Sequence, residues 1–269
     1  MPVVTFLSDY GLADDFVGVC HGVILRICPQ ARIVDITHGI ARHDVRAGAL
    51  TLRRSLPYLP HGVHVAVVDP EVGAQRLAVA LRMAEEDRIL VGPDNGLLSL
   101  AAARFGGVVE AVDLARSPHR LEPLSATFHG RDLFAPVAAH LCAGAPLAET
   151  GTPLDPDLLV RVDMPMARLE NALLTVHVLG ADRFGNLTLD VEHEELIDAG
   201  LRLGTRVAVE VRGRTVEANY AGTFADVAEG ELVLYEDSYR SLALAVNRGS
   251  AAAALGVGLD AELRLRALT

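Results

Sequence analysis

Three side chains in this sequence have the types and settings to do chemistry together: Asp69, Arg76 and His129. Asp69 ends an apolar run, Val63 to Val68, broken only by His64, and the turn Pro70-Glu71-Val72-Gly73 follows it. A carboxylate at the carboxyl end of a buried strand stands where open α/β sheets place their ligands. Arg76 follows within the same loop, and a guanidinium fits a carboxylate through paired hydrogen bonds. His129 lies in Thr127-Phe128-His129-Gly130-Arg131-Asp132, a second strand-to-helix junction. An imidazole changes charge near neutral pH. Function turns on whether acid, cation and imidazole meet in one pocket.

The elements that must position these groups can be read from periodicity. Val3 to Phe6 predicts a strand ending at Ser8-Asp9-Tyr10-Gly11, and Asp14 or Asp15 offers a cap for the next helix. Phe16, Val19, Cys20, Val23, Ile24 and Ile27 predict that helix's apolar face. Ile33 to Ile36 is a second strand before Thr37-His38-Gly39, and Asp44 opens a second helix ended by Pro57 and Pro60. Leu77–Leu81 and Ile89–Val91 predict a strand pair across Glu85-Glu86-Asp87. Gly92-Pro93-Asp94-Asn95-Gly96 leads into a helix at Leu97 to Phe105, Val108 to Val112 is a strand, and 113–126 reads as loop. A helix is predicted over Arg131 to Cys142. This alternation predicts an N-terminal α/β domain, residues 1–160, with a mainly parallel sheet covered on both faces. Asp9, His38, Asp69, Asp94-Asn95 and His129 all fall at predicted strand ends, which gathers them in one polar cleft.

The pattern changes after about Gly144. Pro146, Gly151, Pro153 and Pro156 mark a linker, and from Leu173 the period is mostly two. Thr175–Leu179, Arg206–Val211, Glu231–Tyr235, Leu242–Val246 and Glu262–Leu265 predict short strands, with a hairpin turn at Arg212-Gly213-Arg214. The C-terminal domain, residues 170–269, is therefore a small β-barrel or sandwich. Asp182-Arg183-Phe184-Gly185-Asn186 reads by composition as a turn.

Composition removes several chemistries. The 269 residues are 51% hydrophobic, enough for two cores, yet no uncharged apolar run reaches the roughly 18 residues of a membrane span. The N-terminus has no basic n-region, which predicts a cytoplasmic protein. A formal net charge of −11 argues against a nucleic-acid partner. All 24 basic residues are arginine, which excludes a Schiff-base or P-loop lysine. Cys20, Cys28 and Cys142 lack metal spacing and read as core residues. Among the ten histidines, none of His38, His43, His61, His64 and His129 stands in a recognised metal spacing, so no metal is expected. No G-x-G-x-x-G follows the first strand, so no dinucleotide cofactor is expected either.

Seven short stretches in series resemble one family: Ser8-Asp9-Tyr10-Gly11, Val34-Asp35-Ile36-Thr37-His38, Val67-Val68-Asp69-Pro70, Gly92-Pro93-Asp94-Asn95-Gly96-Leu97-Leu98, Phe128-His129-Gly130-Arg131-Asp132, Asp182-Arg183-Phe184-Gly185-Asn186 and Ala245-Val246-Asn247-Arg248-Gly249-Ser250-Ala251. The chain resembles the S-adenosyl-L-methionine (SAM) hydroxide adenosyltransferases, which are SAM hydrolases forming adenosine, and their relatives the SAM-dependent fluorinase and chlorinase. The resemblance implies an α/β domain plus a β-barrel, a homotrimer, and SAM bound between one subunit's first domain and its neighbour's barrel. It implies SAM as substrate rather than cofactor. It makes Asp69, Arg76 and His129 the catalytic set, Asp9 the ribose ligand, and Phe128 and His43 pocket walls near the reacting carbon. Asp182, Asn186 and Ser238 would hold the methionine end, with Tyr239 beside them. Val246 and Arg248 would face the adenine with backbone, and Phe224 would flank it.

Two departures from the family pattern stand out. Glu71 replaces a usual glycine beside the catalytic acid, and would raise the pKa of Asp69 if both faced the pocket. Tyr239-Arg240 alters the methionine-side run. The halide-using relatives lack the acid at 69 and carry serine where this chain has Gly130. A SAM-dependent halogenase, a non-catalytic SAM or adenosine sensor and a metal-dependent hydrolase are the competing readings.

Overall fold

The computed structural model describes residues 2–191 and 193–268, in two compact units, Met1–Asp163 and Met164–Thr269. The first contains β1 (Val3–Ser8), α1 (Phe16–Ile27), β2 (Arg32–Thr37), α2 (Val45–Ser55), β3 (Val63–Val67), β4 (Ala78–Met83), β5 (Ile89–Pro93), α3 (Ser99–Arg104), β6 (Val108–Asp113), α4 (Ala135–Cys142) and β7 (Thr152–Leu154). Its sheet runs β2-β1-β3-β5-β4-β6-β7. The four strands β2, β1, β3 and β5 are parallel. The pairings of β4 with β5 and β6, and of β6 with β7, are antiparallel. The mainly parallel expectation thus holds for half the sheet. The reason is the short charged link between β4 and β5, which can close a hairpin but not a parallel crossover. Glu86 and Asp87 take positive φ there, 62° and 39°.

Both faces of this sheet are buried. Val63, Val65 and Val67 pack with Cys20, Ile24, Val137 and Leu141 from α1 and α4. Ala66 and Val68 point the other way, toward Leu52 of α2 and Ala101 and Ala102 of α3. Strand alternation sends successive side chains of one apolar run into two cores. Each large side chain so buried contributes about 1.5–3 kcal/mol. The face of α1 differs from its sequence reading. Val17, Cys20 and Ile24 are buried, whereas Phe16 is 40% exposed, and Asp15 makes no side-chain cap. Asp44 caps α2 as expected, accepting from Ala47 N at 2.9 Å.

The helix predicted over Arg131–Cys142 is two pieces. Gly130–Phe134 forms a π-helical turn, with Ala135 N donating to Gly130 O, and α4 follows. Pro136 is the cause. It has no N–H for the carbonyl four residues back, that of Asp132. That carbonyl accepts instead from Leu121 N at 2.7 Å, which ties the loop before His129 to the helix.

The second unit contains β8 (Arg168–Glu170), β9 (Leu173–Ala181), β10 (Leu187–Leu189), α5 (His193–Asp198), β11 (Arg206–Val211), β12 (Arg214–Tyr220), β13 (Leu232–Glu236), β14 (Leu242–Val246), α6 (Ala251–Leu255) and β15 (Glu262–Leu268). Seven of its strands close into a barrel, because β10 pairs with both β14 and β9. Alternate residues such as Val176, Val178, Val207, Val209, Leu263 and Leu265 fill it. The β11–β12 hairpin turns on Arg212 and Gly213 at φ 48° and 74°, the left-handed pair that a two-residue hairpin requires.

His64 is buried in the middle of β3. Arg88, itself 2% exposed, donates to its Nε2 at 3.2 Å, and its Nδ1 lies 2.9 Å from Thr5 Oγ1. A guanidinium only donates, so Nε2 accepts and Nδ1–H donates to Thr5. Burial, then the Arg88 charge, lowers the His64 pKa to about 3. Above the ordinary pKa of about 6.5 both folded and unfolded states hold a neutral ring; below it only the unfolded state takes the proton. Stability should therefore fall as pH drops from about 6.5 toward 3, and His64→Gln should lessen that fall, as urea midpoints measured at about pH 7.5 and about pH 5 would show.

Candidate active site

The end of β3, the loop 68–77 and the π-helical turn bring Asp69, Arg76 and His129 together. Arg76 Nε lies 3.0 Å from Asp69 Oδ1 and 3.1 Å from Oδ2, and Nη2 adds a close ion pair to Oδ2. The same Nη2 donates to His129 Nδ1 at 2.8 Å. The two charged side chains are 5% and 4% exposed, so solvent screens them little. The Arg76 guanidinium also stands 5.5 Å from the Phe134 ring centroid.

Neighbouring contacts hold the loops in this arrangement. Gly73, at φ 78°, passes so close to Ala126 that a Cβ would lie 2.3 Å from its carbonyl oxygen. Only glycine suits both conditions. Asn95 Nδ2 donates to Val68 O at 2.9 Å, fixing the residue before Asp69. On the His129 side, Asp132 accepts from Ser125 N at 2.9 Å and pairs with Arg131 at 2.6 and 2.8 Å. Arg131 in turn lies 5.0 Å from the Phe128 ring centroid.

The tautomer of His129 follows from its donor. Arg76 occupies the Nδ1 lone pair, so the ring proton sits on Nε2. Burial, then the Arg76 charge, lowers the His129 pKa against the opposing pull of Asp69 and Asp132. His129 in this state offers an N–H and no free ring acceptor. Within the set, the Asp69 carboxylate offers acceptor oxygens and the His129 ring offers an N–H donor.

Asp9 accepts from His43 N at 3.0 Å, and His43 has the left-handed φ of 66°. Phe128 packs edge-on to Tyr10 and Phe16, with centroids 5.8 and 5.1 Å away. Glu71 is exposed, and no interaction joins it to Asp69. Among the described residues, His21, Asp35 and His38 place ligand atoms within 4.8 Å of one another. Asp35 Oδ1 is hydrogen-bonded to His21 Nε2 at 2.9 Å and stands 3.1 Å from His38 Nε2, which makes no hydrogen bond among the described residues.

In the barrel unit, Asp182 Oδ1 accepts from Phe184 N and Asn186 N at 2.8 and 3.0 Å, and Oδ2 from Asn186 Nδ2 at 2.8 Å. Ser238 and Tyr239 are exposed in a turn built on Asp237, which accepts from Tyr239 N at 2.8 Å and Ser241 N at 3.0 Å. Val246 accepts from Gly249 N at 3.0 Å, and exposed Arg248 pairs with Glu229 at 3.0 Å. Phe224 packs on Tyr235 at 4.9 Å between centroids. Burial, then Asp182 and Asp237, pushes the Tyr235 phenol up to about 12, so both turns lie within its electrostatic reach. Sequence reading singled out neither Tyr235 nor Tyr10, because single tyrosines in strand or turn patterns carry no spacing signal.

A family model for the SAM hydroxide adenosyltransferase N-terminal domain matches residues 4–151, and one for the C-terminal domain of the same family matches 176–264. The chain belongs to the SAM hydroxide adenosyltransferase family. A protein of Salinispora tropica named (R)-S-adenosyl-L-methionine hydrolase is 48% identical, over 99% of this chain and 98% of its own. A fluorinase of Actinoplanes sp. is 32% identical over 91% of each chain. A crystal structure of an uncharacterized conserved protein from Thermotoga maritima superposes with a TM-score of 0.92 at 35% identity, covering 98% of this chain and 99% of that one.

The Arg76 bond to His129 makes a direct test. In a nitrogen-15 histidine titration, His129 should show the Nε2–H tautomer and titrate below about 6.5. Arg76→Leu should raise its pKa, because the cation that opposes ring protonation is gone while Asp69 remains.

Proposed function

We propose that this protein hydrolyses SAM to adenosine and L-methionine, with water attacking the 5′ carbon. The observation that carries the reading is the Asp69–Arg76–His129 set: an acceptor, a cation that fixes it and a neutral donor, joined in a chain of this family. The water oxygen bonds to the 5′ carbon as the carbon–sulfur bond breaks. That bond's electrons stay on sulfur, giving the thioether of methionine, and the water proton passes through Asp69 to solvent. The sulfonium leaves without acid or metal assistance. The protein's task is to hold water within about 3–3.5 Å of the carbon, opposite sulfur. Arg76 engages both Asp69 oxygens, which fixes the direction in which the carboxylate receives the water's hydrogen.

The remaining assignments belong to the same proposal. Asp9 grips the ribose hydroxyls, with His43 and Phe128 lining the pocket. Asp182, Asn186, Ser238 and Tyr239 take the methionine end; Phe224, Val246 and Arg248 take the adenine. The Arg248 side chain is engaged by Glu229, which suits a role for its backbone. The subunits form a homotrimer whose sites are completed by the neighbouring subunit, no cofactor takes part, and the protein works in the cytoplasm. No helix of the described residues is long and apolar enough to cross a membrane.

Incubating pure protein with SAM should release adenosine and methionine in equal amounts by chromatography; S-adenosylhomocysteine or methylthioadenosine as the product would defeat the reading. Asp69→Asn should still bind SAM by calorimetry while turnover falls about 10²–10⁴-fold, the usual worth of a general base.

A further inference from the structure

One polar group beside the Asp69 set has no role in this account: the hydroxyl of Tyr10. Its backbone is fixed by Tyr10 N donating to Ser8 Oγ at 3.2 Å and Gly11 N donating to His38 O at 2.8 Å. Its ring is held edge-on by Phe6 and Phe128, with centroids 6.2 and 5.8 Å away, and tilted against Phe16 at 5.9 Å. The hydroxyl has no hydrogen-bond partner among the described residues.

The hydroxyl lies against Gly130, the residue after His129. A Cβ on Gly130 would lie 2.1 Å from Tyr10 Oη and 3.1 Å from Cζ. Gly130 does not have positive φ. Its backbone therefore gives no reason for glycine. The reason is space: the Tyr10 hydroxyl takes the volume that any side chain at 130 would need. Burial, then Cys20, Asp9 and Asp69, keep the proton on the phenol against the opposing pull of Arg76. A neutral hydroxyl is thus locked in position beside His129, facing a space too small for a side chain at 130.

We propose that Tyr10 is a positioning residue for the nucleophile, its hydroxyl filling the space over Gly130 and holding the attacking water against Asp69. This rests on the hydrolysis reading. An attacking water keeps one lone pair for carbon and needs acceptors for its two hydrogens. The Asp69 carboxylate supplies one and the phenol oxygen the other. The pairing of tyrosine at 10 with glycine at 130 would then limit the pocket to a small nucleophile by volume, and fix it by hydrogen bonding.

The test is a double-mutant cycle with Tyr10→Phe and Gly130→Ala, reading kcat and KM for adenosine release and the melting temperature. Tyr10→Phe keeps the aromatic packing. It should leave the melting temperature and KM near wild type and lower kcat about tenfold, the loss of about one hydrogen bond. Gly130→Ala should melt lower and lose activity. Adding Tyr10→Phe to it should restore the melting temperature but leave kcat no higher than in Tyr10→Phe alone. A kcat near wild type in Tyr10→Phe, or full activity in the double variant, would overturn the positioning role. Unchanged melting in Gly130→Ala would overturn the packing half. Wild-type protein that releases no adenosine would remove the hydrolysis reading and the nucleophile role with it, while the melting comparison would still decide the packing half.

Discussion

The buried pairing of Asp69 with Arg76 governs the loops at the end of β3 in the first unit. Taking both charges out of water is unfavourable, and close hydrogen bonds offset it only while the geometry holds. Here the guanidinium touches both carboxylate oxygens and passes its remaining reach to His129 Nδ1. The loop between the two residues has no regular element, so its shape depends on this pair and on Gly73 meeting Ala126. Losing one partner would leave an uncompensated buried charge, which typically costs about 3–5 kcal/mol. The same contact that orders the loop also sets the tautomer of His129. Stability and chemistry are not separable at this point of the structure.

The pairing also answers a problem peculiar to a sulfonium substrate. Positive charge on sulfur disappears as the carbon–sulfur bond breaks. A site lined with unpaired carboxylates would bind the charged ground state better than the transition state, which opposes catalysis. With Arg76 beside it, Asp69 keeps its acceptor geometry while presenting a nearly neutral pair to its surroundings. His129, neutral and uncharged for the same reason, adds a dipole rather than a second cation. An overall charge of −11 favours the approach of a cation, while local neutrality at the proposed site would favour its conversion.

Much of this was legible in the sequence where one rule acts alone. The apolar run ending at Asp69, the cap at Asp44, the Arg212-Gly213 hairpin and the shift to period two all follow from local patterning, and the two-part architecture follows from them. The family resemblance joined Asp69 and Arg76 to His129 across more than fifty intervening residues, which no local pattern does. What stayed hidden depends on contacts between distant segments. The helix predicted over Arg131–Cys142 took no account of Pro136, and the π-helical turn also needed Leu121 to take the freed Asp132 carbonyl. Phe16 fits a helical apolar face by spacing, yet it turns outward because Tyr10 and Phe128 offer their rings there. Glu71 looked significant by adjacency to Asp69, but neighbours along a turn need not share a side of it. Gly130 stood out in the sequence only as the place where the halide-using relatives carry serine; that Tyr10 packs against it needed the structure.

The Asp182–Asn186 turn shows why composition and resemblance need not compete. By composition it is a turn, and three hydrogen bonds to the Asp182 carboxylate make it one. An ionised carboxylate has about four acceptor sites. Two donors reach Oδ1 and one reaches Oδ2, so the unspent capacity is on Oδ2. Gly185 lets the turn sit hard against Ser250, where a Cβ would lie 2.0 Å from Oγ. Ala252 N closes on Gly185 O at 3.0 Å, which anchors the turn to the start of α6. A carboxylate held this firmly, with acceptor capacity left on one oxygen, would lose little freedom on meeting a donor, and that preorganisation is what the methionine-end role proposed for the turn would draw on.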